Sequence, residues 1–145
     1  MVSLAPATDL GPRSARGGRW IAHAIGVALL CLVLFATLGD EIALPQLFEK
    51  QDKIEHLLAF LGLGFVFGWG ASLWALLGYA IALSGTAFGI EVLQEVLTTT
   101  REGGIEDGFA GCVGLGLGLL SAFSMRAAIT WLRGLRRTGS RRRLA

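Results

Sequence analysis

Three groups of residues, far apart along the chain, have types and spacings suited to chemistry. Asp52 and His56 stand four positions apart with Lys53 between them, so a helix would place the acid and the imidazole on one face. Glu91 and Gln94 stand three apart at the end of a long apolar run, with Glu95 beside them. Asp107 follows next to Glu106, after a short segment that holds Arg101 and Glu102. A carboxylate beside an imidazole has the residue types of a general base or a ligand pair. No H-E-x-x-H, Ser–His–Asp or Cys–His arrangement accompanies it, so neither a metal nor a cofactor is expected. Cys31 and Cys112 lie inside apolar runs, which argues against a disulfide framework and reads both as small packing residues.

The elements that must position these groups are membrane helices. Of the 145 residues, 53% are hydrophobic and only 17% charged, whereas soluble domains sit near 45–50% and about 25%. A membrane-crossing helix needs about 20 mostly apolar residues. Four segments are candidates, at about 20–38, 54–69, 73–97 and 105–125. The first follows Arg13, Arg16 and Arg19, as a signal peptide would. Its apolar run is longer than the ~7–15 residues of such a leader and no clear A-x-A site ends it, so it reads as an uncleaved span. The expected fold is an all-α integral membrane bundle of four helices over residues 20–125. A basic arm (1–19) precedes it and a basic amphipathic tail (126–145) follows.

Lysine and arginine placement sets the expected orientation. Both ends of the chain are basic. The segment after the first span carries Asp40, Glu41, Glu49 and Asp52 against Lys50 and Lys53. Both termini are therefore expected in the cytoplasm. In the tail, Arg126, Arg133 and Arg137 recur on one helical face around Trp131, which fits anionic lipid headgroups better than nucleic acid. On this topology Asp52, Lys53, His56, Glu91, Gln94, Arg101 and Asp107 all fall at the outer end. Glu91 would lie roughly 9 Å below it, at about 1.5 Å per residue. A carboxylate at that depth must face the bundle or water rather than lipid. Two readings stay open: a hydrogen-bonded plug that fixes helix register, or an outward-facing pocket that binds a headgroup, holds a cation or performs acid–base work. Gly114 and Gly118, in GLGLG, form a small-xxx-small ridge for close helix packing.

The ordered set DKIEHLLAFLGLG (Asp52 to Gly64), EVLQ, Arg101 and DGFAGCVGLGLG resembles the VanZ-like family across roughly Gln51 to Leu120. These are small integral membrane proteins named for a teicoplanin-resistance protein. The resemblance marks Asp52, Lys53, His56, Glu91, Gln94, Arg101 and Asp107 as signature positions, and Gly114 and Gly118 as glycines of the last helix. Many members carry Asn four residues after the Asp, where this chain has Gly111. The resemblance implies a bacterial cytoplasmic-membrane protein acting in the cell envelope. Its expected partners are membrane lipids, with a lipid-linked cell-wall precursor or a glycopeptide as the candidate ligand, and no nucleic acid. An intramembrane enzyme acting on a lipid-linked substrate is the alternative, with Glu91 or His56 as base and Arg101 holding an anionic group. A non-catalytic scaffold built on the glycine ridge is the third reading.

Overall fold

The computed structural model describes residues 11–38, 50–97 and 104–142. Among them there is no strand. The described residues form four helices: α1 (Gly11–Leu38), α2 (Gln51–Gly68), α3 (Leu73–Leu97) and α4 (Ile105–Arg142). The acidic segment with Asp40, Glu41 and Glu49, and the segment with Arg101 and Glu102, lie outside the described residues.

Three helices are long and apolar enough to cross a membrane: Trp20–Leu38 of α1, Leu73–Leu97 of α3 and Ile105–Leu135 of α4. The fourth expected span, α2, is not among them. It has 18 residues and carries Asp52, Lys53 and Glu55 near its start. At about 1.5 Å per residue it reaches about 27 Å, slightly less than the ~30 Å hydrocarbon layer.

This short helix is nevertheless the centre of the bundle. Its buried positions are His56, Phe60, Leu63, Gly64, Phe67 and Gly68, the three-and-four spacing of one helical face. Phe60 and Leu63 meet Ile90 of α3 and Leu115 of α4 in a core completed by Val33 of α1, Phe67, Leu83 and Ala87. The outward faces stay apolar: Ile25, Leu32 and Phe35 on α1, Ile81, Val92 and Val96 on α3, and Val113 and Leu120 on α4 are all exposed. Such a surface suits lipid rather than water.

The tightest joint is between α2 and α4. A Cβ built on Gly114 would fall onto the Leu57 carbonyl, and one on Gly118 onto the Leu61 carbonyl. From the other side, a Cβ on Gly64 would lie 2.5 Å from the Leu115 oxygen. The two backbones therefore touch, which is what small residues at membrane-helix interfaces permit. Gly116, between the two packed glycines, faces open space.

The turn from α2 to α3 is equally specified. Gly70 takes a left-handed φ of 82°, open to glycine without steric cost. Ser72 caps α3, its hydroxyl accepting from the Ala75 amide at 3.3 Å. Arg126 of α4 donates to the Ala71 carbonyl at 2.8 Å and the Gly68 carbonyl at 3.4 Å. Arg126, expected on lipid headgroups, instead ties α4 to the end of α2 and the turn after it, where the negative end of the helix dipole favours a cation. Cys31 also differs from expectation. It is exposed on α1, while Cys112 packs against the core.

The antiparallel order gives the bundle two unlike ends. Trp20, Trp69, Trp74 and Trp131 fall toward the end that holds the α2–α3 turn, and three of them are more than 60% exposed. Tryptophan prefers the membrane–water boundary. The other end holds Lys53, His56, Glu91 and Asp107. The glycine contact predicts a sharp contrast between neighbours. Gly114→Ala or Gly118→Ala should lower the thermal midpoint of purified protein in detergent, at the cost of about 1–3 kcal/mol or more that overpacking brings. Gly116→Ala should leave the midpoint unchanged within error.

Candidate functional site

The site is built where the start of α2, the end of α3 and the start of α4 meet. His56 lies one turn inside α2, and its ring stacks nearly parallel to Phe60, 6.5 Å centre to centre. Its Nδ1 sits 3.1 Å from the main-chain oxygen of Asp52. The i, i+4 relation of these residues therefore acts through a carbonyl of the helix. Across the interface, His56 Nε2 faces Glu91 Oε1 at 3.0 Å, with both side chains more than 90% buried. The two atoms are within ion-pair distance yet out of line with the ring N–H, and neither has an aligned hydrogen-bond partner.

The other oxygen of Glu91 is fully engaged. Oε2 accepts the backbone N–H of Gly104 at 2.8 Å. Gly104 opens the turn into α4, its carbonyl accepting from the Asp107 amide at 2.7 Å. One carboxylate thus joins α3 to α2 through the imidazole and to α4 through the turn. Gln94, one turn further along α3, is also buried and donates to the Thr37 carbonyl of α1 at 3.0 Å. Nothing in the sequence pointed to that partner, because a carbonyl carries no side-chain signature.

Lys53 completes the layer on the α4 side. Its ammonium lies 2.6 Å from Glu106 and 3.3 Å from Asp107. The hydrogen bond to Glu106, and then that to Asp107, hold its pKa above the ordinary lysine value. Asp107 is buried and Glu106 exposed, so Lys53 links an inner and an outer acid. Its position near the positive end of the α4 dipole also favours Asp107 as an anion.

Of the seven signature positions, the fold brings Lys53, His56, Glu91, Gln94 and Asp107 to one end, with Asp52 contributing its carbonyl there. Arg101 lies outside the described residues. Glu95 is exposed on the α3 surface. With Glu91, Phe88, Val92, Val96 and Ile105 it lines a shallow, mostly apolar groove of about 470 Å³. Gly111 also has a physical account. A Cβ there would lie 3.1 Å from both Ala87 and Phe60. A side chain at position 111 would require Phe60 or Ala87 to give way by a few tenths of an ångström. Among the described residues, no group of three or more potential ligands is placed to hold a metal ion.

One polar contact at the opposite end was not anticipated. His23 of α1 hydrogen-bonds through Nε2 to the Tyr79 hydroxyl of α3, and it meets Phe67 edge-on. A lone histidine in an apolar run gave no hint of its partner, 56 positions away.

Fold and site together define a class: an all-helical protein with three helices of membrane-crossing length and a polar layer at one end of its core. No protein-family model, curated protein or solved structure matches the chain.

The buried pair generates a double-mutant prediction. Changing His56 or Glu91 alone to Leu strands its partner in the core and should cost about 3–5 kcal/mol in unfolding experiments. The double leucine variant should recover a large part of that loss. Additive losses would show that the two side chains do not interact.

Proposed function

We propose that this chain is a VanZ-like protein of the bacterial cytoplasmic membrane. Four helices cross the bilayer, both termini are cytoplasmic, and the polar end faces outward. There it binds a lipid headgroup or a sugar-linked envelope ligand, with glycopeptide susceptibility as the trait such binding affects. The observation that carries the reading is the convergence of Lys53, His56, Glu91 and Asp107 from three helices on one end of an otherwise apolar bundle. Ionisable groups inside membrane segments serve function by default, because burying them is costly.

Other features support the remaining parts. The central position of α2 favours its crossing with its neighbours despite its length. The tryptophans at the opposite end suit a second interface, about 30 Å away by the rise of α3 from Trp74 to Gln94. Basic residues at both chain ends favour a cytoplasmic side for them.

Two measurements test this. Lys53→Gln, Asp107→Asn and Glu91→Gln should each reach the membrane at parental abundance while changing growth under teicoplanin or another envelope stress. Loss of abundance in all three would reduce the polar layer to a structural plug. For topology, Glu106→Cys in a Cys31→Ser, Cys112→Ser background should react with an impermeant thiol reagent on intact cells. Labelling only after the membrane is opened would invert the orientation.

A catalytic reading has one observation in its favour. The imidazole is held by a carbonyl on one side and meets a carboxylate on the other, the arrangement of an oriented acid–base pair. Turnover of a lipid-linked substrate by purified protein, lost in Glu91→Gln, would select it over simple binding.

A further inference from the structure

The contact between His56 and Glu91 sets a constraint on protons. A main-chain carbonyl only accepts hydrogen bonds, so Nδ1 of His56, bonded to the Asp52 oxygen, must carry a hydrogen. In a neutral imidazole the other nitrogen is then a bare lone pair. That nitrogen is the one facing Glu91 Oε1 at 3.0 Å. An ionised carboxylate is also acceptor-only. Two acceptors at this distance repel, and burial leaves the repulsion poorly screened.

We infer that His56 and Glu91 form a proton-binding site, with one proton held by the pair on either Nε2 or Oε1. The proton makes the pair either imidazolium with carboxylate or imidazole with carboxylic acid. Both forms are neutral overall, which is what allows the pair to sit in the core without an uncompensated charge. The inference rests on the geometry of these two side chains and not on the ligand reading.

The site is coupled to the fold through the second carboxylate oxygen. Oε2 holds the Gly104 amide at the start of the turn into α4. When the proton leaves to solvent, Nε2 becomes a lone pair and Oε1 a charged acceptor. The side chains must then part, and the turning carboxylate releases Gly104. The closed arrangement exists while the proton is held and is lost when the pair releases it. Other charged groups at this end are Lys50 just before α2, Asp52, Lys53 and Glu55 of α2, Glu95 of α3, and Glu106 and Asp107 of α4. Among the described residues α1 brings none there, its nearest polar contact being the Thr37 carbonyl on Gln94. Arg101 and Glu102 lie outside the described residues. A readout at the ring nitrogens themselves separates the pair from all of these.

The chain has only two histidines, so the test is direct. The full chain with His23→Gln, ¹⁵N-labelled at histidine and held in detergent micelles, presents His56 alone to nitrogen NMR. Nδ1 should stay protonated across the titration. Nε2 should shift in the same transition as the Glu91 side-chain carboxyl and the Gly104 amide. Glu91→Gln mimics the proton-holding state, because its amide donates to Nε2 while its oxygen still accepts from Gly104. In that variant the Gly104 amide should lose its pH response. If His23→Gln fails to fold, the unaltered chain serves, with His56 assigned as the imidazole whose signals Glu91→Gln displaces. A neutral His56 with a bare Nδ1 and hydrogen on Nε2 would overturn the inference. So would a Gly104 amide that titrates alike in Glu91→Gln and the parent.

Discussion

The backbone contact between α2 and α4 is the constraint on which the rest depends. Lipid offers no hydrophobic drive for helices to associate, so cohesion has to come from close packing and hydrogen bonds. Gly114 and Gly118 supply the first by removing the atoms that would hold the Leu57 and Leu61 carbonyls away. With the axes that close, Lys53 reaches both acids of the first turn of α4. The same approach brings Leu115 into the core beside Phe60 and Leu63. α3 then lies along this pair and sets Glu91 against His56. Arg126, at the far end, closes the same joint by holding the Gly68 carbonyl at the end of α2 and the Ala71 carbonyl of the turn after it.

The polar layer is thin, with an apolar floor below it. Phe60 stacks beneath His56, and with Ala87 it takes the volume that a larger residue at position 111 would need. A floor of this kind leaves the buried acid and imidazole facing each other at 3.0 Å. Glu91 has two oxygens and uses one toward each neighbouring helix, so it couples helix packing to the turn into α4. The surrounding charges are divided between two arrangements. Lys53 neutralises the acids of α4 near the surface, while the buried pair is balanced internally. That division lets several ionisable groups occupy one end of a bundle whose outer faces are apolar.

Much of this was legible in the residues and some was not. The long apolar runs forecast α1, α3 and α4 with their order, and the GLGLG segment forecast a close helix joint. Length misled in one respect. α2 falls short of a membrane span by composition, yet it is the helix most enclosed by the others. Arg126 looked like part of a basic lipid-facing row, because its arginine neighbours in the tail share its spacing. Its partners are carbonyls, which no sequence pattern displays. The same blindness hid the Thr37 carbonyl behind Gln94. Cys31 looked like a packing residue because its neighbours are apolar, but on α1 an apolar neighbourhood is also the exposed face.

The helical class, the apolar runs and the concentration of ionisable residues near three helix ends are set by residue types along the chain. Those follow from local periodicity and from the cost of placing charge among hydrocarbon, both of which act within one segment. Which groups meet is set by the packing of the helices against one another. Lys53 goes to Glu106 and Asp107 rather than to Glu91, and His56 turns one nitrogen to its own helix and the other to Glu91. Those choices depend on how closely α2 and α4 approach and on the rotation of α3 against them. Such quantities arise from packing between segments, so a pattern read along a single chain does not contain them.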